Sequence, residues 1–255
     1  MIVVVEGISA SGKSTWCDRH GGSHVVPENG RLAGAPDRAA DPKAAAAFWA
    51  ERNVDRWQQA LAVKCATGHA VCDTDPLKLH YVWCLWQIGE ASERDWSLEL
   101  AATRQTIEDG RIGFADLYLV GETDEETARR QARTDTTRRR RNFDLHARLR
   151  PALLEWYAAI DMVLPGRVQF GLPAALSIEK MVGERHDLAA FDAMIAHLPS
   201  PESITLTSGS LPFPQTNGQR GGGGVLGING ILGLSGLGGK RPVGLPSNVL
   251  GLRHS

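Results

Sequence analysis

Five residues near the start of the chain, Ile2-Val-Val-Val-Glu6, run straight into Gly7-Ile-Ser-Ala-Ser-Gly12-Lys13-Ser14. The β-branched run reads as a parallel strand buried on both faces, because such strands lose the polar alternation of a one-sided sheet. The eight residues after it fit G-x-x-x-x-G-K-[ST] at every position, and a helix can begin at Lys13. The glycines let the backbone curl so that successive N–H groups converge on phosphate oxygens. The helix that follows directs its positive end to the same point. Lys13 is placed to neutralise β/γ charge and the Ser14 hydroxyl to hold Mg²⁺. The motif assigns Gly7, Ser9, Ala10, Ser11, Gly12, Lys13, Ser14 and Thr15 to the phosphates of a nucleotide, ATP or alternatively GTP.

The remaining pattern alternates short apolar runs with helical periodicity. Strands are predicted at 2–6, His24-Val-Val-Pro, His69-Ala-Val-Cys-Asp, 115–121 and one of two late runs, with Arg167-Val-Gln-Phe preferred. Helices are predicted at 13–19, 41–67 with Asp41-Pro42 as cap and first turn, 76–88, 97–109, 125–133, 144–160 and within 177–198. Strands alternating with helices imply right-handed βαβ units and an α/β fold, a three-layer P-loop NTPase fold with a parallel sheet of about five strands.

The text changes after Leu198. The last part holds 14 of the 28 glycines, recurring every third residue from Gly221 to Gly239, but without the prolines of a collagen triplet. It carries one acid, Glu202, against Arg220, Lys240, Arg241 and Arg253. Leu234-Ser-Gly-Leu-Gly-Gly-Lys fails as a second phosphate motif, since Leu234 stands where its first glycine belongs and Arg241 where Ser or Thr belongs. Residues 199–255 are expected to be a disordered, Gly-rich low-complexity tail. The whole chain has a formal net charge of −1, which gives no global attraction to nucleic acid or anionic membranes. No apolar run is long enough to span a bilayer. Cys17, Cys65, Cys72 and Cys84 lack metal-site spacing, so reduced thiols and a cytoplasmic protein are expected.

Three groups of residues qualify as site candidates beyond the motif. Carboxylates at the ends of parallel strands lie where ligands bind in open α/β sheets. Glu28 follows the second strand, and Asp73 and Asp75 follow the third. Glu28 is a candidate proton acceptor, Asp73 a candidate Mg²⁺ partner with Ser14, and Asp75 either a substrate contact or the cap of the next helix. Arg129, Arg130, Arg133 and Arg138 to Arg141 form a basic cluster after the fourth strand, with Arg133 and Arg138 chosen as phosphate contacts. Trp49, Asn53 and Trp57 recur at helical spacing and share a face. They read either as core packing or as a wall for a planar acceptor ring.

With these residues in place, the sequence resembles the small P-loop kinases, within them the deoxynucleoside kinase and thymidylate kinase-like group. The phosphate loop matches at Gly7 to Ser14. Pro27-Glu28 reverses the Glu-Pro order in which deoxynucleoside kinases carry a base. Asp73-Thr74-Asp75 stands where the group has an acid followed by arginine, keeping the acid and lacking the arginine. The arginine-rich stretch followed by Trp156 and Tyr157 is similar to the group's lid.

The resemblance implies residues 1–198 as a kinase domain, with acceptor-binding helices at about 41–67 and a helical, arginine-rich lid at about 125–143. It implies transfer of the γ-phosphoryl group of Mg·ATP to a hydroxyl of a small ring-containing molecule, a nucleoside, a nucleoside-like compound or an antibiotic. In that reading Lys13, Glu28, Asp73, Arg133 and Arg138 act in catalysis. Trp49, Asn53, Trp57 and Asp75 bind the acceptor. A nucleoside monophosphate kinase and a nucleotide-dependent switch or ATPase are the alternatives. The expected partner is the small-molecule acceptor, in a monomer or a homodimer, with neither membrane nor nucleic acid.

Overall fold

A computed structural model describes residues 1–28, 34–135, 142–177 and 183–201, so the Gly-rich stretch from 202 onward lies outside the described residues. Five strands, β1 (Ile2–Glu6), β2 (Val25–Val26), β3 (Ala70–Asp73), β4 (Leu117–Val120) and β5 (Val168–Phe170), form one sheet in the order β2-β3-β1-β4-β5. Every pairing is parallel, with Val3 beside Val71 on one side and Leu117 on the other. All carboxyl ends therefore meet at one edge, and the glycine motif leaves the central strand there. β2 is the sheet's edge and is separated from β1 by β3, so of the two strands that end in candidate acids only Asp73's flanks the motif's strand directly. Glu28's does not.

β1 is buried over its whole length, and its side chains alternate between two cores. Val3 and Val5 meet Trp16 and Cys17 of α1 (Lys13–His20), together with Val71 and Leu119. On this face the Trp16 indole N–H also donates to the Pro173 carbonyl at 2.7 Å. Ile2 and Val4 belong to the larger core. That core is filled from α2 (Pro42–Thr67), α3 (Leu79–Gln87), α4 (Glu93–Glu108), α7 (Arg150–Val163) and α8 (Leu188–His197). Two further helices, α5 (Glu125–Thr134) and α6 (Phe143–Arg148), flank residues 136–141, which lie outside the described residues. The three-layer α/β arrangement expected from the alternation is present, with the β5 alternative that was preferred. The four cysteines are free. Among the described residues no helix is long and apolar enough to cross a membrane.

Candidate active site

The phosphate loop is shaped by three backbone conformations. Gly7 has φ +151°, and a Cβ there would lie 2.8 Å from the Ser11 hydroxyl oxygen. Gly12 has φ +87° and caps α1, its carbonyl accepting the Trp16 N–H at 2.9 Å. Ala10, at φ +65°, occupies the left-handed region without being glycine, a conformation held by the turn around it. The Ser11 N–H closes that turn on the Ile8 carbonyl at 3.2 Å. Ser11 is buried, while Thr15 points outward on the exposed side of α1. Lys13 folds back over the loop, its Nζ donating to the Gly7 carbonyl at 2.6 Å and the Ile8 carbonyl at 3.3 Å.

Asp73, at the end of the neighbouring strand, lies close enough to the Ser14 side chain and to Lys13 for both to favour its charged form. Burial lifts its carboxyl above the ordinary range, and nearby Glu28 and Glu6 push the same way. Glu28 is reached from the other side of this loop by Lys78, whose Nζ lies 2.5 Å from Glu28 Oε1. Lys78 adopts φ +43° at the start of α3, which turns the chain sharply between the Asp73 loop and the helix. Spacing gave no signal for Lys78, because its pairing depends on two loops brought together by the parallel order of β2 and β3. Ser14 and Asp73 offer hard oxygen donors, a set that fits Mg²⁺ with phosphate oxygens and water filling the remaining positions.

The wall of residues on α2 divides in two. Trp57 is 1% exposed and sits in the core with its ring edge-on to His186, so it offers no face to a ligand. The Asn53 amide donates to the Leu77 carbonyl at 3.0 Å, bracing the loop after β3. Trp49, like Asn53, is half-buried, with Phe48 edge-on to it at 5.2 Å. Arg56, one turn below Asn53, carries the larger structural burden. Its buried guanidinium donates to the carbonyls of Asp73 and Thr74 at 2.9 Å and of Asp75 at 3.3 Å.

Asp75 is 2% exposed and faces inward, which corrects its reading as an acceptor contact. Its Oδ1 accepts the Leu77 N–H at 3.0 Å in a local turn and not as the predicted helix cap, because α3 begins at Leu79, later than the expected Pro76, with Lys78 at its N-cap; Tyr157 O–H donates to Oδ2 at 3.3 Å. Burial, reinforced by the Glu6 charge, pushes its carboxyl up to about 7. His80 lies in the same buried layer, against the rings of Trp156 and Tyr157. Its Nε2 is 3.5 Å from Glu6 Oε2, a carboxylate partner that helical spacing does not reveal, and burial drives its imidazole down to about 4.

On α5, Arg129 is held by Glu125 and Asp144, each at 2.7 Å, and stands over the Phe143 ring. Arg133 is exposed on the last turn of α5, leading into residues 136–141. Arg138, with Arg139 to Arg141, lies outside the described residues. The loop after β4 closes against the phosphate loop, since Gly121 N–H donates to the Glu6 carbonyl at 2.7 Å and Thr123 O–H to the Ser11 carbonyl at 3.2 Å. Arg150, which carried no sequence signal, braces that loop through the carbonyls of Glu122 and Thr123.

Solved structures to which the chain is similar include deoxyadenosine kinase from M. mycoides with bound dATP, at 13% identity over 70% of this chain and 93% of that one, with a TM-score of 0.47. The same enzyme with products dCMP and a flexible dCDP bound is 12% identical over 82% of this chain and 100% of the other, TM-score 0.45. Its dCTP-bound structure is 14% identical over 70% and 93%, TM-score 0.45. No family model matches the sequence, and neither does any curated protein.

Proposed function

We propose that the chain is an ATP-dependent phosphotransferase that moves a γ-phosphoryl group to a hydroxyl of a small ring-containing acceptor, a nucleoside or nucleoside-like molecule. The observation that carries this reading is the convergence at one sheet edge of Lys13 folded over the glycine loop, Asp73 beside Ser14 at the end of the neighbouring strand, and Glu28 paired with Lys78. Residues 1–198 form the catalytic domain in this reading, and the Gly-rich tail is an appendage.

The phosphate loop and the start of α1 bind the phosphates. Ser14 and Asp73 would hold Mg²⁺, which, when bound, offsets charge on the phosphate oxygens. Lys78 orients the Glu28 carboxylate. Glu28 takes the acceptor's hydroxyl proton as the acceptor oxygen bonds to the γ-phosphorus. The bond from that phosphorus to the β–γ bridging oxygen breaks, and ADP leaves. Lys13 and the lid arginines Arg133 and Arg138 stabilise the charge in transfer, so the work is positioning and electrostatics. On α2 the half-buried Trp49 and Asn53 remain the candidates for the acceptor ring.

The test is ADP formation from Mg·ATP across a panel of nucleosides, nucleoside monophosphates and hydroxylated antibiotics. Turnover is expected with one hydroxyl-bearing class and none with Lys13→Ala. Glu28→Gln should lower kcat by about 100-fold or more if it is the general base. A loss below about 10-fold on that scale would transfer the assignment to a monophosphate acceptor, which brings its own nucleophilic oxygen. ADP formation indifferent to every acceptor would overturn the transferase reading.

A further inference from the structure

Glu6 ends β1 immediately before the phosphate loop, is 3% exposed, and takes no part in the steps above. Its two oxygens reach four groups. Oε1 accepts the Gly7 N–H at 2.9 Å and lies 3.9 Å from Lys13 Nζ. Oε2 accepts the Asp75 N–H at 3.1 Å and lies 3.5 Å from His80 Nε2. A carboxylate withdrawn from water is costly unless such partners replace its hydration. The partners come from the two loops that must act together. Gly7 opens the loop carrying Lys13 and Ser14, and Asp75 lies two residues beyond Asp73.

We propose that Glu6 is a positioning residue that locks the phosphate loop and the Asp73 loop into one frame and serves as the resting counter-ion of Lys13. The inference rests on the kinase reading. Lys13 Nζ now lies on the Gly7 and Ile8 carbonyls beside Glu6. To meet a phosphate it must leave that nest, so the nucleotide competes with Glu6 for the ammonium group. Arg56 clamps the Asp73 loop by its carbonyls from the α2 side, whereas Glu6 holds an N–H of the same loop from the β1 side.

Removing the charge and removing the span have different consequences. Glu6→Gln deletes an anion near the phosphates and frees Lys13, so nucleotide binding stays level or tightens. The same change leaves the Asp73 loop with a poorer acceptor, so turnover, which needs Lys13 and Asp73 together, falls by roughly 10- to 100-fold. Glu6→Asp keeps the charge but is one methylene too short to bridge both N–H groups. It should lose turnover without tightening the nucleotide.

The experiment uses the full chain and titrates a fluorescent N-methylanthraniloyl ATP at several Mg²⁺ concentrations, alongside kcat and KM with an accepted substrate. The expected results are an unchanged or lower nucleotide Kd in Glu6→Gln, a severalfold rise in the Mg²⁺ needed for half-maximal turnover in both variants, and reduced kcat in both. Wild-type kcat and Mg²⁺ dependence would overturn the proposal, as would nucleotide affinity lost in step with kcat. A purely structural defect would lower the active fraction while leaving the Mg²⁺ midpoint where it was. Should Glu6→Gln fail to fold, the Mg²⁺ midpoint of Glu6→Asp decides. If the wild type turns over no acceptor, the kinase reading fails by itself. The Kd and its Mg²⁺ dependence then still report whether Glu6 competes for Lys13 and holds Asp73.

Discussion

The carboxyl of Asp75 is held where ionisation is costly, and this makes it a reporter of the buried layer beneath the site. Its folded value of about 7 stands well above the roughly 4 of an unfolded aspartate. Between those values the folded state keeps a proton that the unfolded chain has released. The group's contribution to stability is therefore complete below about pH 4 and is lost as pH rises through 7. Asp75→Asn cannot ionise and so escapes that loss. In urea unfolding, the stability of the variant relative to wild type should rise between pH 5 and pH 8, and parallel pH curves would refute the assignment. Glu99, also lifted to about 7 by burial, is common to both proteins and cancels in the difference. At this scale the sequence was legible where residues are neighbours along the chain. Gly7 to Ser14 announced their own turn, and Asp73 lay at a strand end. The pairings of Arg56 with the Asp73 loop, of Glu6 with Asp75 and His80, and of Lys78 with Glu28 could not be read, because these partners lie 17 to 74 residues apart, across strands whose order the sequence does not show.

Among the helices, legibility followed the clarity of the end signal. α2 begins where Asp41-Pro42 said it would, with Asp41 Oδ1 accepting the Ala44 N–H at 2.9 Å. α4 starts at Glu93, four residues before the predicted Ser97, because its box uses aspartate in place of the usual Glu or Gln at the third position. There Ser92 Oγ accepts the Asp95 N–H at 3.1 Å, and Asp95 Oδ2 accepts the Ser92 N–H at 3.1 Å. The single helix predicted over 144–160 is two, broken around Leu149 with Pro151 in the first turn of α7. A proline that opens a helix and one that kinks it look alike in sequence. Asp41→Ala and Ser92→Ala should each cost about 1 kcal/mol, read as a lower urea midpoint at unchanged m-value. An unaffected Ser92→Ala midpoint would mean that packing of Trp96 and Ile107, not the box, fixes the start of α4.

For the molecule as a whole, the segment from Gly183 to Asp187 closes the end of the sheet opposite the candidate site. Arg185 accepts the Phe114 N–H through its carbonyl at 2.8 Å and reaches Asp116 with its side chain at 2.6 Å. Asp116 in turn accepts the Ile2 N–H at 2.6 Å, so the first strand, the approach to β4 and the strap into α8 share one carboxylate. Phe191 and Met194 then complete the larger core. The sequence showed a helix within 177–198 but no strap, since Gly113 in Arg-Ile-Gly-Phe reads as an ordinary turn residue. The structure gives that glycine a packing reason. A Cβ on Gly113 would stand 2.3 Å from the Arg185 carbonyl oxygen, and backbone cannot rotate aside. A Cβ on Gly183 would meet Arg167 Nη2 at 2.0 Å, but that is the far end of a side chain. Gly113→Ala should therefore cost roughly 1–3 kcal/mol and lower Tm more than Gly183→Ala, whose obstacle moves at the expense of the Arg167 bond to the Glu184 carbonyl. Because the strap lies at the amino edge of the sheet, the folded fraction of either variant should bind the fluorescent nucleotide with wild-type affinity. Equal Tm losses would mean that the strap shifts as a unit, and a weakened nucleotide would mean that strain at this end reaches the phosphate loop through β1.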